Sequence, residues 1–459
     1  MSRARPIRGR PLPRPAAILA AAVVIAGAAR PLAAQAGDPL AGYVREAIEN
    51  NLSLRQERLA EQRSDAAVRE ARGLYLPDVT MDSRYSRTSG GLNLGELVNP
   101  VYGALNQLTG SSRFPTDVDA RLPLAQETRL RLTQPLFQPA IRENHRLQRT
   151  LRDLQGAQLA AATRQLAAEV QGAYLGYARA TRVVELYRAT LPLLDENLRV
   201  SESLVRNGRA TPDVVLRARA EQSQTRQDLA EAEERADAAV RAFNFLLARD
   251  LATPVEVLPD SLFAGEMEVG VDEAVARARA HREELRQTEA GIRAAESQVR
   301  LARSSLLPTV AVALDYGFQG DDYRWGSDQD FAVASVVFQW NAFNGGQTAA
   351  RRQQAALDAG RARARREELE RQVELQVRQA HQAARVARGA ISTAQDRVEA
   401  ARRTYQLVAR KYQEGMAAQV ELVDARTSYT SAELNLILTR YAYAARRVEL
   451  ERAAALREI

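Results

Sequence analysis

The sequence predicts a mainly helical protein with a smaller β part, in which one structural unit occurs twice. The first observation is an internal repeat, because residues from about 140 to 247 are echoed from about 347 to 454 at a constant offset of 207. The second is an apolar heptad pattern that continues for about 40 residues in each copy. The third is a pair of short segments in each copy where apolar and polar residues alternate. Such a duplication restricts the possible folds sharply.

Equivalent positions in the two copies keep either their residue or its apolar character. Gly208 matches Gly415 at the offset of 207, while Leu76-Pro77 matches Leu307-Pro308 at an offset of 231. Each copy therefore consists of a helix, Leu-Pro, a short β segment, a very long helix, a glycine turn and a second long helix. Because the offsets differ by 24 residues, the first copy carries the longer insertion between its β segments. The predicted division is repeat one at about 39–250, a linker at about 251–269 and repeat two at about 270–455.

The first 36 residues have the pattern of a secretory signal peptide. Five arginines between Arg3 and Arg14 precede an apolar stretch from Ala16 to Ala29, and Ala34-Gln35-Ala36 fits the cleavage site. A retained membrane anchor is the alternative, but about 14 apolar residues are few for a spanning helix. The expected mature chain, 37–459, has 58 basic and 57 acidic residues. This balance gives no basic surplus for a nucleic-acid partner.

No segment of the sequence has the pattern of a catalytic or cofactor site. The chain contains no cysteine, which excludes disulfides, thiol catalysis and thiolate metal sites. The three histidines, His145, His281 and His381, lie far apart without the spacing of metal ligands. Neither a phosphate-binding loop nor a nucleophile motif is present. We therefore expect no enzymatic activity, no metal and no cofactor.

Two apolar heptad series predict very long coiled-coil helices. One runs from Val373 to Tyr412 without a slip, and the other runs from Leu166 to Val205 with Ser201 as its single interruption. The stretch from Ala140 to Gly208 would span about 100 Å as one continuous helix. Pro192 lies inside it, and we expect only a local kink because the heptad phase continues on both sides.

Each very long helix ends at a glycine, after which the chain reverses. A glycine just past a helix permits the left-handed cap that ends it. After Gly208, the dipeptide Thr211-Pro212 suits a helix start with the threonine as N-cap. After Gly415 the next helix starts within a few residues. Each repeat is therefore predicted to contain a helical hairpin with a turn at its tip.

Four segments of about ten residues carry apolar side chains on one face and more polar ones on the other. They are predicted as strands at about 78–88, 128–137, 309–319 and 331–341. This length suits a tilted strand that crosses a bilayer, although a small soluble sheet packed on helices would alternate in the same way. Trp325 and Trp340, with Phe331 and Phe343, favour the membrane because they resemble an interfacial aromatic belt.

The loops that join paired strands suit exposure outside the cell. The stretch 89–127 is rich in Gly, Asn, Ser and Pro, and 320–330 is polar. Four strands cannot close a barrel, and an open sheet edge in lipid leaves backbone groups unpaired. If the strands span a bilayer, several chains must share one barrel, and three chains would supply twelve strands.

Taken together, these features resemble the TolC-type outer-membrane efflux channels of Gram-negative bacteria over essentially the whole expected mature chain. The resemblance includes both Leu-Pro strand entries, the strand exits 134–137 and 341–346, and both glycine tips. It is especially close in 412–454, notably in Val420-Glu-Leu-Val-Asp-Ala425. It implies a homotrimer with a twelve-stranded β-barrel in the outer membrane and a twelve-helix α-barrel across the periplasm. It further implies a passive exit duct for tripartite efflux or type I secretion, with a periplasmic adaptor and an inner-membrane pump as partners.

By this resemblance, Glu421 and Asp424 match an acidic pair whose rings narrow the periplasmic entrance. They lie three residues apart, just after a helix tip, and three copies would form rings of like charge that favour cations. An ordinary solvated helix face is the alternative interpretation. The chain has Glu where the family usually has a first Asp, and in repeat one Val214 stands at the matching position beside Asp213.

The resemblance also assigns roles to other tip residues. Tyr412 matches a tyrosine that helps to latch the closed tip in the best-known member of the family, but Ala417 stands where that member has a latching arginine. A different set of contacts is therefore expected to hold the closed state. Gly208, Asp213 and Gly415 match adaptor-contact tips, although turn geometry alone would also require the glycines.

The alternative function is that of a periplasmic coiled-coil adaptor or scaffold, since those proteins also use long helical hairpins. An adaptor carries one hairpin within β-rich domains. This chain has two hairpins related by duplication, with the β segments at the opposite ends, which favours the channel.

Overall fold

The computed structural model covers the expected mature chain with several gaps. It describes residues 39–87, 92–119, 121–122, 125–260, 265, 269–320 and 329–457. The predicted signal peptide at 1–36 and Trp325 lie outside the described residues.

Helices make up most of the described chain. They are α1 (Pro39–Asn50), α2 (Leu52–Gly73), α3 (Gly95–Thr109), α4 (Pro139–Arg206), α5 (Asp213–Leu246), α6 (Val271–His281), α7 (Glu283–Ser304), α8 (Gln347–Gln413) and α9 (Gln419–Ala453). The strands are β1 (Asp78–Tyr85), β2 (Leu92–Asn93), β3 (Arg121–Leu122), β4 (Gln126–Phe137), β5 (Thr309–Gly320) and β6 (Asp330–Gln339). None of the helices within the described ranges combines the length and apolarity needed to cross a membrane.

The very long helices follow the heptad prediction. Helices α4 and α8 contain 68 and 67 residues, and α4 continues through Pro192. Helix α4 packs along α5 to form hairpin one, and α8 packs along α9 to form hairpin two. Helix α4 also contacts α9, so the two hairpins lie side by side.

The single helix predicted before each Leu-Pro is in fact two helices, separated at equivalent positions of the two repeats. In repeat one the break is at Asn51, whose side chain accepts hydrogen bonds from the backbone N–H groups of Ser53 and Leu54 at 2.9 and 3.1 Å. In repeat two it is at Arg282, which is buried and forms two hydrogen bonds with Glu284 at 2.9 Å. Side-chain hydrogen bonds of this kind satisfy backbone and charged groups where a helix is interrupted.

The insertion in repeat one is more ordered than the predicted polar loop, because it contains α3 and the two-stranded ribbon of β2 and β3. Asn93 accepts a hydrogen bond from the backbone N–H of Gly95 at 2.9 Å, at the start of α3. Asn99 exchanges two hydrogen bonds, each of 2.9 Å, with the backbone of Val118. These side-chain amides fasten the helix to the chain that returns toward β4.

Strands β1, β4, β5 and β6 form one antiparallel sheet in that order. Its register aligns Met81 with Leu130 and Leu130 with Tyr316, so the apolar residues of neighbouring strands share a face. The other face carries ion pairs, including Arg131 to Asp315 at 2.6 Å. The helices that lead into and out of these strands repeat the order, because α2 contacts α4, α4 contacts α7, and α7 contacts α8.

Two apolar clusters hold the middle of the molecule together. In the first, Tyr174 and Phe243 are fully buried, and in the second Val373 and Val377 of α8 pack against α6. The chain after hairpin one crosses the first cluster, where the backbone N–H of Leu258 donates to the Tyr174 hydroxyl at 2.7 Å. This contact fixes the connection between the repeats against α4.

Candidate functional site at the hairpin tips

The two hairpins end in the same backbone turn. Gly208 and Gly415 follow α4 and α8 with φ angles of 68° and 75°, and the backbone N–H after each glycine donates to a carbonyl five residues earlier. These hydrogen bonds run from Arg209 to Leu204 at 2.8 Å and from Met416 to Lys411 at 2.7 Å. This is the Schellman motif, which requires a left-handed residue and therefore favours glycine. An added Cβ would meet no atom within 4 Å at either glycine, so backbone conformation alone selects the residue.

The acid of the first tip is engaged locally. Helix α5 begins at Asp213, and the Thr211 hydroxyl is hydrogen-bonded to the Asp213 carboxylate. The prediction of Thr211 as the N-cap is wrong, because Pro212 occupies that position and the Thr211 hydroxyl bonds to a carboxylate instead of a backbone N–H. Asp213 also lies 3.7 Å from Arg217, one turn along the helix.

The second tip carries its acids differently. The Glu421 carboxylate accepts a hydrogen bond from the backbone N–H of Ala418 at 3.1 Å, which is one half of a capping box because alanine has no side-chain acceptor. Asp424 lies one turn further along α9, and both acids are exposed. At the equivalent positions repeat one has Val214 and Arg217. Tip two therefore presents two carboxylates where tip one presents an apolar and a basic side chain.

Tyr412 lies on the last turn of α8 and is partly buried, which raises the pKa of its phenol. Its hydroxyl makes no hydrogen bond within the part of the protomer that the structure describes. Further along the hairpin, Tyr429 stacks on Tyr405 with ring centroids 6.1 Å apart and donates to Glu433 at 2.6 Å. Burial, with the neighbouring Glu433, raises the pKa of Tyr429 to about 12. Both phenols therefore remain protonated at neutral pH.

A buried hydrogen bond joins the two tips. The Gln419 side-chain amide at the start of α9 donates to the Ser201 hydroxyl of α4 at 2.9 Å and to the backbone carbonyl of Val214 at 3.2 Å. Ser201 is fully buried. This contact explains the interruption of the heptad in repeat one, since an apolar residue at that position would leave the buried amide with one partner fewer.

A largely buried ion pair joins the same two hairpins about two helical turns further along. Arg426 of α9 donates two hydrogen bonds to Glu221 of α5, at 2.7 and 3.3 Å, and the side chains are 6% and 18% exposed. The equivalent arginine of repeat one, Arg219, instead makes an exposed contact of 3.4 Å with Glu202. No sequence pattern marks Glu221 as a site residue, although the arginine is duplicated as Arg219 and Arg426 at the offset of 207.

All six residues singled out from the sequence lie at or beside the two glycine turns. Gly208, Asp213, Tyr412, Gly415, Glu421 and Asp424 therefore share one end of the molecule, opposite the four-stranded sheet. Within the described ranges, no group of three or more His, Asp or Glu side chains is placed to hold a metal ion. The tips therefore present exposed carboxylates next to their backbone turns. Buried contacts between the hairpins hold the tips in place.

Solved structures with this architecture include outer-membrane channels and a membrane protein. The channel VceC of Vibrio cholerae is 17% identical, with a TM-score of 0.71 over 91% of this chain and 96% of its own. The open-state channel MtrE of Neisseria gonorrhoeae is 19% identical, with a TM-score of 0.72 over 90% and 88%. A membrane protein of Pseudomonas aeruginosa is 19% identical, with a TM-score of 0.75 over 91% and 93%. No curated protein sequence matched the chain.

These likenesses confirm the mainly helical fold of the efflux channels. The resemblance noted in the sequence is confirmed separately, because residues 43–249 and 274–456 match the family described as outer membrane efflux protein. The match covers both repeats and the two hairpin tips. The family is described by its efflux role in the outer membrane, which agrees with the outer-membrane origin of VceC and MtrE. The chain thus belongs to the outer membrane efflux protein family and is an efflux duct of the outer membrane.

Proposed function

We propose that three copies of this protein form the exit duct of a tripartite efflux or type I secretion assembly. The duct conducts substrate passively from a periplasmic adaptor and an inner-membrane pump to the exterior. The observation that carries the proposal is the position of an incomplete sheet at one end of two hairpins. Each hairpin contains a helix of more than 65 residues, which spans about 100 Å.

The sheet has the properties of one third of a membrane barrel. Met81, Tyr316 and Val336 on its apolar face are at least half exposed, which is costly in water and favourable in lipid. Strands β1 and β6 are edges with unpaired backbone groups, and such edges are not tolerated in a bilayer. Pairing β1 of one copy with β6 of the next closes twelve strands. Strands of 12 residues, such as β4 and β5, cross about 30 Å when tilted.

The hairpin tips form the periplasmic entrance in this proposal. Three copies of Glu421 and Asp424 make rings of negative charge that select for cations. Opening requires hairpin two to move relative to hairpin one, with Tyr412 at the mobile tip. Gly208, Asp213 and Gly415 lie on the outer ends of the turns, where an adaptor can dock.

Engineered cysteines test the shared barrel without interference, because the chain has none of its own. Thr80 of β1 and Ser335 of β6 lie on the polar face of edge strands separated by β4 and β5. Within one protomer, three strand spacings and an offset of two residues place them about 16 Å apart, too far for a disulfide. We expect Thr80→Cys/Ser335→Cys, or a neighbouring pair in a scan along β6, to give covalent dimers and trimers in outer membranes.

The matched control is Ser83→Cys/Thr128→Cys, whose hydroxyls lie 2.9 Å apart on adjacent strands of one protomer. This pair should crosslink without forming oligomers. No interchain disulfide anywhere along β6, while the control pair forms its disulfide, would overturn the proposed shared barrel.

A further inference from the structure

A cluster of charges lies where the helices meet the sheet, at the opposite end from the tips. Glu143, in the first turn and a half of α4, is only 6% exposed and contacts three arginines. Its carboxylate lies 3.2 Å from Arg142, 3.0 Å from Arg146 and 3.3 Å from Arg300 of α7. We call these four residues the junction cluster. One carboxylate neutralises one arginine, so the cluster keeps an excess of positive charge.

The arginine side chains of the cluster remain accessible. Arg142, Arg146 and Arg300 are 64%, 51% and 43% exposed. Each guanidinium has five N–H donors, and a single shared carboxylate accepts only a few of them. The cluster therefore presents unused donors in fixed positions, because Glu143 restrains all three side chains.

The junction cluster belongs to a wider basic collar. Six further arginines, all exposed, lie on the parts of α2, α4, α7 and α8 nearest the strands: Arg69, Arg72, Arg149, Arg303, Arg351 and Arg352. Acidic residues in the same stretches, 66–73, 139–151, 297–304 and 347–357, are limited to Glu70 and the buried Glu143, and the next acids, Asp65, Asp153, Glu296 and Asp358, lie on the side away from the strands. The collar therefore has an excess of positive charge, although the expected mature chain is nearly neutral.

Exposed apolar residues separate the collar from the strands. They are Tyr75, Leu76, Leu306, Leu307, Trp340 and Phe343. Trp340 is 57% exposed, and its indole N–H donates to the backbone carbonyl of Leu306 at 3.1 Å. An aromatic belt followed by basic residues is the pattern of a protein surface at the boundary between hydrocarbon and headgroups. Arg142 and Arg146 lie about 5 and 11 Å along α4 from its start at Pro139, within reach of a headgroup layer.

The position of the cluster in the protomer keeps it accessible after assembly. Helices α4 and α7 are the inner members of the row α2, α4, α7, α8, and the row follows the strand order of the sheet. A neighbouring copy that pairs with β1 or β6 would approach α2 or α8. It would leave the surface shared by α4 and α7 uncovered.

We propose that the junction cluster binds anionic lipid headgroups of the inner leaflet of the outer membrane. The planar forks of Arg142, Arg146 and Arg300 suit the bidentate recognition of a phosphate, and the excess charge attracts anionic over zwitterionic lipid. Glu143 positions the guanidiniums. This inference rests on the proposed function, since it requires the sheet to span the bilayer.

Trp340 provides a reporter beside the cluster. The chain has two tryptophans, so Trp325→Phe leaves Trp340 as the sole one. The variant is reconstituted in phosphatidylcholine vesicles that contain a minor fraction of brominated phosphatidylcholine or brominated phosphatidylglycerol, and fluorescence quenching is compared. We expect phosphatidylglycerol to be preferred roughly three- to tenfold at low salt, with a weaker preference at about 0.5 M salt.

Substitutions in the same background assign the preference to the cluster. The variant Arg142→Gln/Arg146→Gln keeps Arg300 as the partner of Glu143. In this variant the ratio of quenching by brominated phosphatidylglycerol to quenching by brominated phosphatidylcholine should be close to one. Arg142→Lys/Arg146→Lys should retain part of it, because the charge remains and the fork is lost. The matched control is Arg199→Gln/Arg217→Gln, which removes two exposed arginines near the tips and should leave the preference unchanged.

The outcomes separate this inference from the proposed function. If both brominated lipids quench Trp340 equally, the sheet spans the bilayer and the lipid-binding inference is wrong. An anionic preference that survives Arg142→Gln/Arg146→Gln also overturns it. If neither lipid quenches Trp340, the proposed placement in the membrane fails, and the inference fails with it.

Discussion

The two hairpin tips have the same backbone and different side chains. Gly208 and Gly415 close the same turn, yet the helix that follows has Val214 and Arg217 in repeat one and Glu421 and Asp424 in repeat two. Local turn chemistry preserved the hairpin in both copies. The charges of the side chains after the turn could differ between the copies, because reversal of the chain depends on the backbone conformation and not on those side chains. In the proposed duct, this difference makes tip two the one suited to the entrance and tip one its support.

The two tips differ most in the surroundings of the arginine that both repeats contain, Arg219 in repeat one and Arg426 in repeat two. Arg426 is buried against Glu221 of the other hairpin, whereas Arg219 makes an exposed contact with Glu202. We expect Arg426→Met to destabilise the packing of hairpin two on hairpin one by about 3 kcal/mol, because it leaves the largely buried Glu221 carboxylate without its partner. The equivalent Arg219→Met should cost less than about 1 kcal/mol. Hydrogen-exchange protection of the first turns of α5 and α9 measures both effects.

A double substitution shows whether the large effect comes from the unpaired charge. Glu221→Leu/Arg426→Met replaces both partners with apolar side chains, which is often neutral or stabilising for buried ion pairs. Protection should recover in the double variant. Equal losses for Arg426→Met and Arg219→Met would contradict the assigned difference between the tips.

The acidic side chains of the two tips should differ in their effect on cations, if three copies of Glu421 and Asp424 form the proposed rings of charge at the entrance. Glu421→Gln/Asp424→Asn removes both charges, and the glutamine keeps an acceptor for the Ala418 N–H. We expect block by a trivalent cation in planar bilayers to weaken about tenfold, which corresponds to about 1.4 kcal/mol. Asp213→Asn should change the block little, since Arg217 already lies beside Asp213. Similar block in all variants would assign Glu421 and Asp424 to an ordinary solvated face.

The hydrogen bond between the tips has a smaller expected effect. Ser201→Ala removes an acceptor from the buried Gln419 amide, which should reduce protection at the start of α9 by about 1 kcal/mol. Ser203→Ala is the matched control on the same turn of α4. In a cycle with Gln419→Leu, the double variant should lose less than the sum of the single ones. Additive losses would show that Ser201 and Gln419 do not interact.

The sequence predicted the tips better than the contacts between them. Glycine turns and heptads are local patterns, so Gly208, Gly415 and the long helices were found without knowledge of the fold. Ser201 was visible as an interruption, but its partner Gln419 lies 218 residues away and belongs to the other repeat. Nothing in a helical pattern specifies which face of one hairpin meets the other.

Two features outside the tips were missed for different reasons. The break at Asn51 carries no glycine or proline, and its side chain also reaches the Leu246 carbonyl at 2.8 Å, a tertiary contact. Helix α3 did have a local signal, since Leu97, Val101, Leu105 and Leu108 recur at helical spacing. The Gly, Asn and Pro content of the insertion concealed it.

The glycines give the smallest expected difference between the tips. Gly208→Ala and Gly415→Ala each place a Cβ in open space at a left-handed φ, so the loss of stability should be about 1 kcal/mol and come from backbone strain alone. Because that strain is the same in both turns, the two losses should agree within about 0.5 kcal/mol when hydrogen exchange of the last turns of α4 and α8 is compared. Asparagine at either position should be better tolerated than alanine, since its side chain accepts the left-handed region more readily. A much larger loss at Gly415 would mean that tip two has tertiary constraints on its turn that tip one lacks, and the backbone would then have diverged along with the charge.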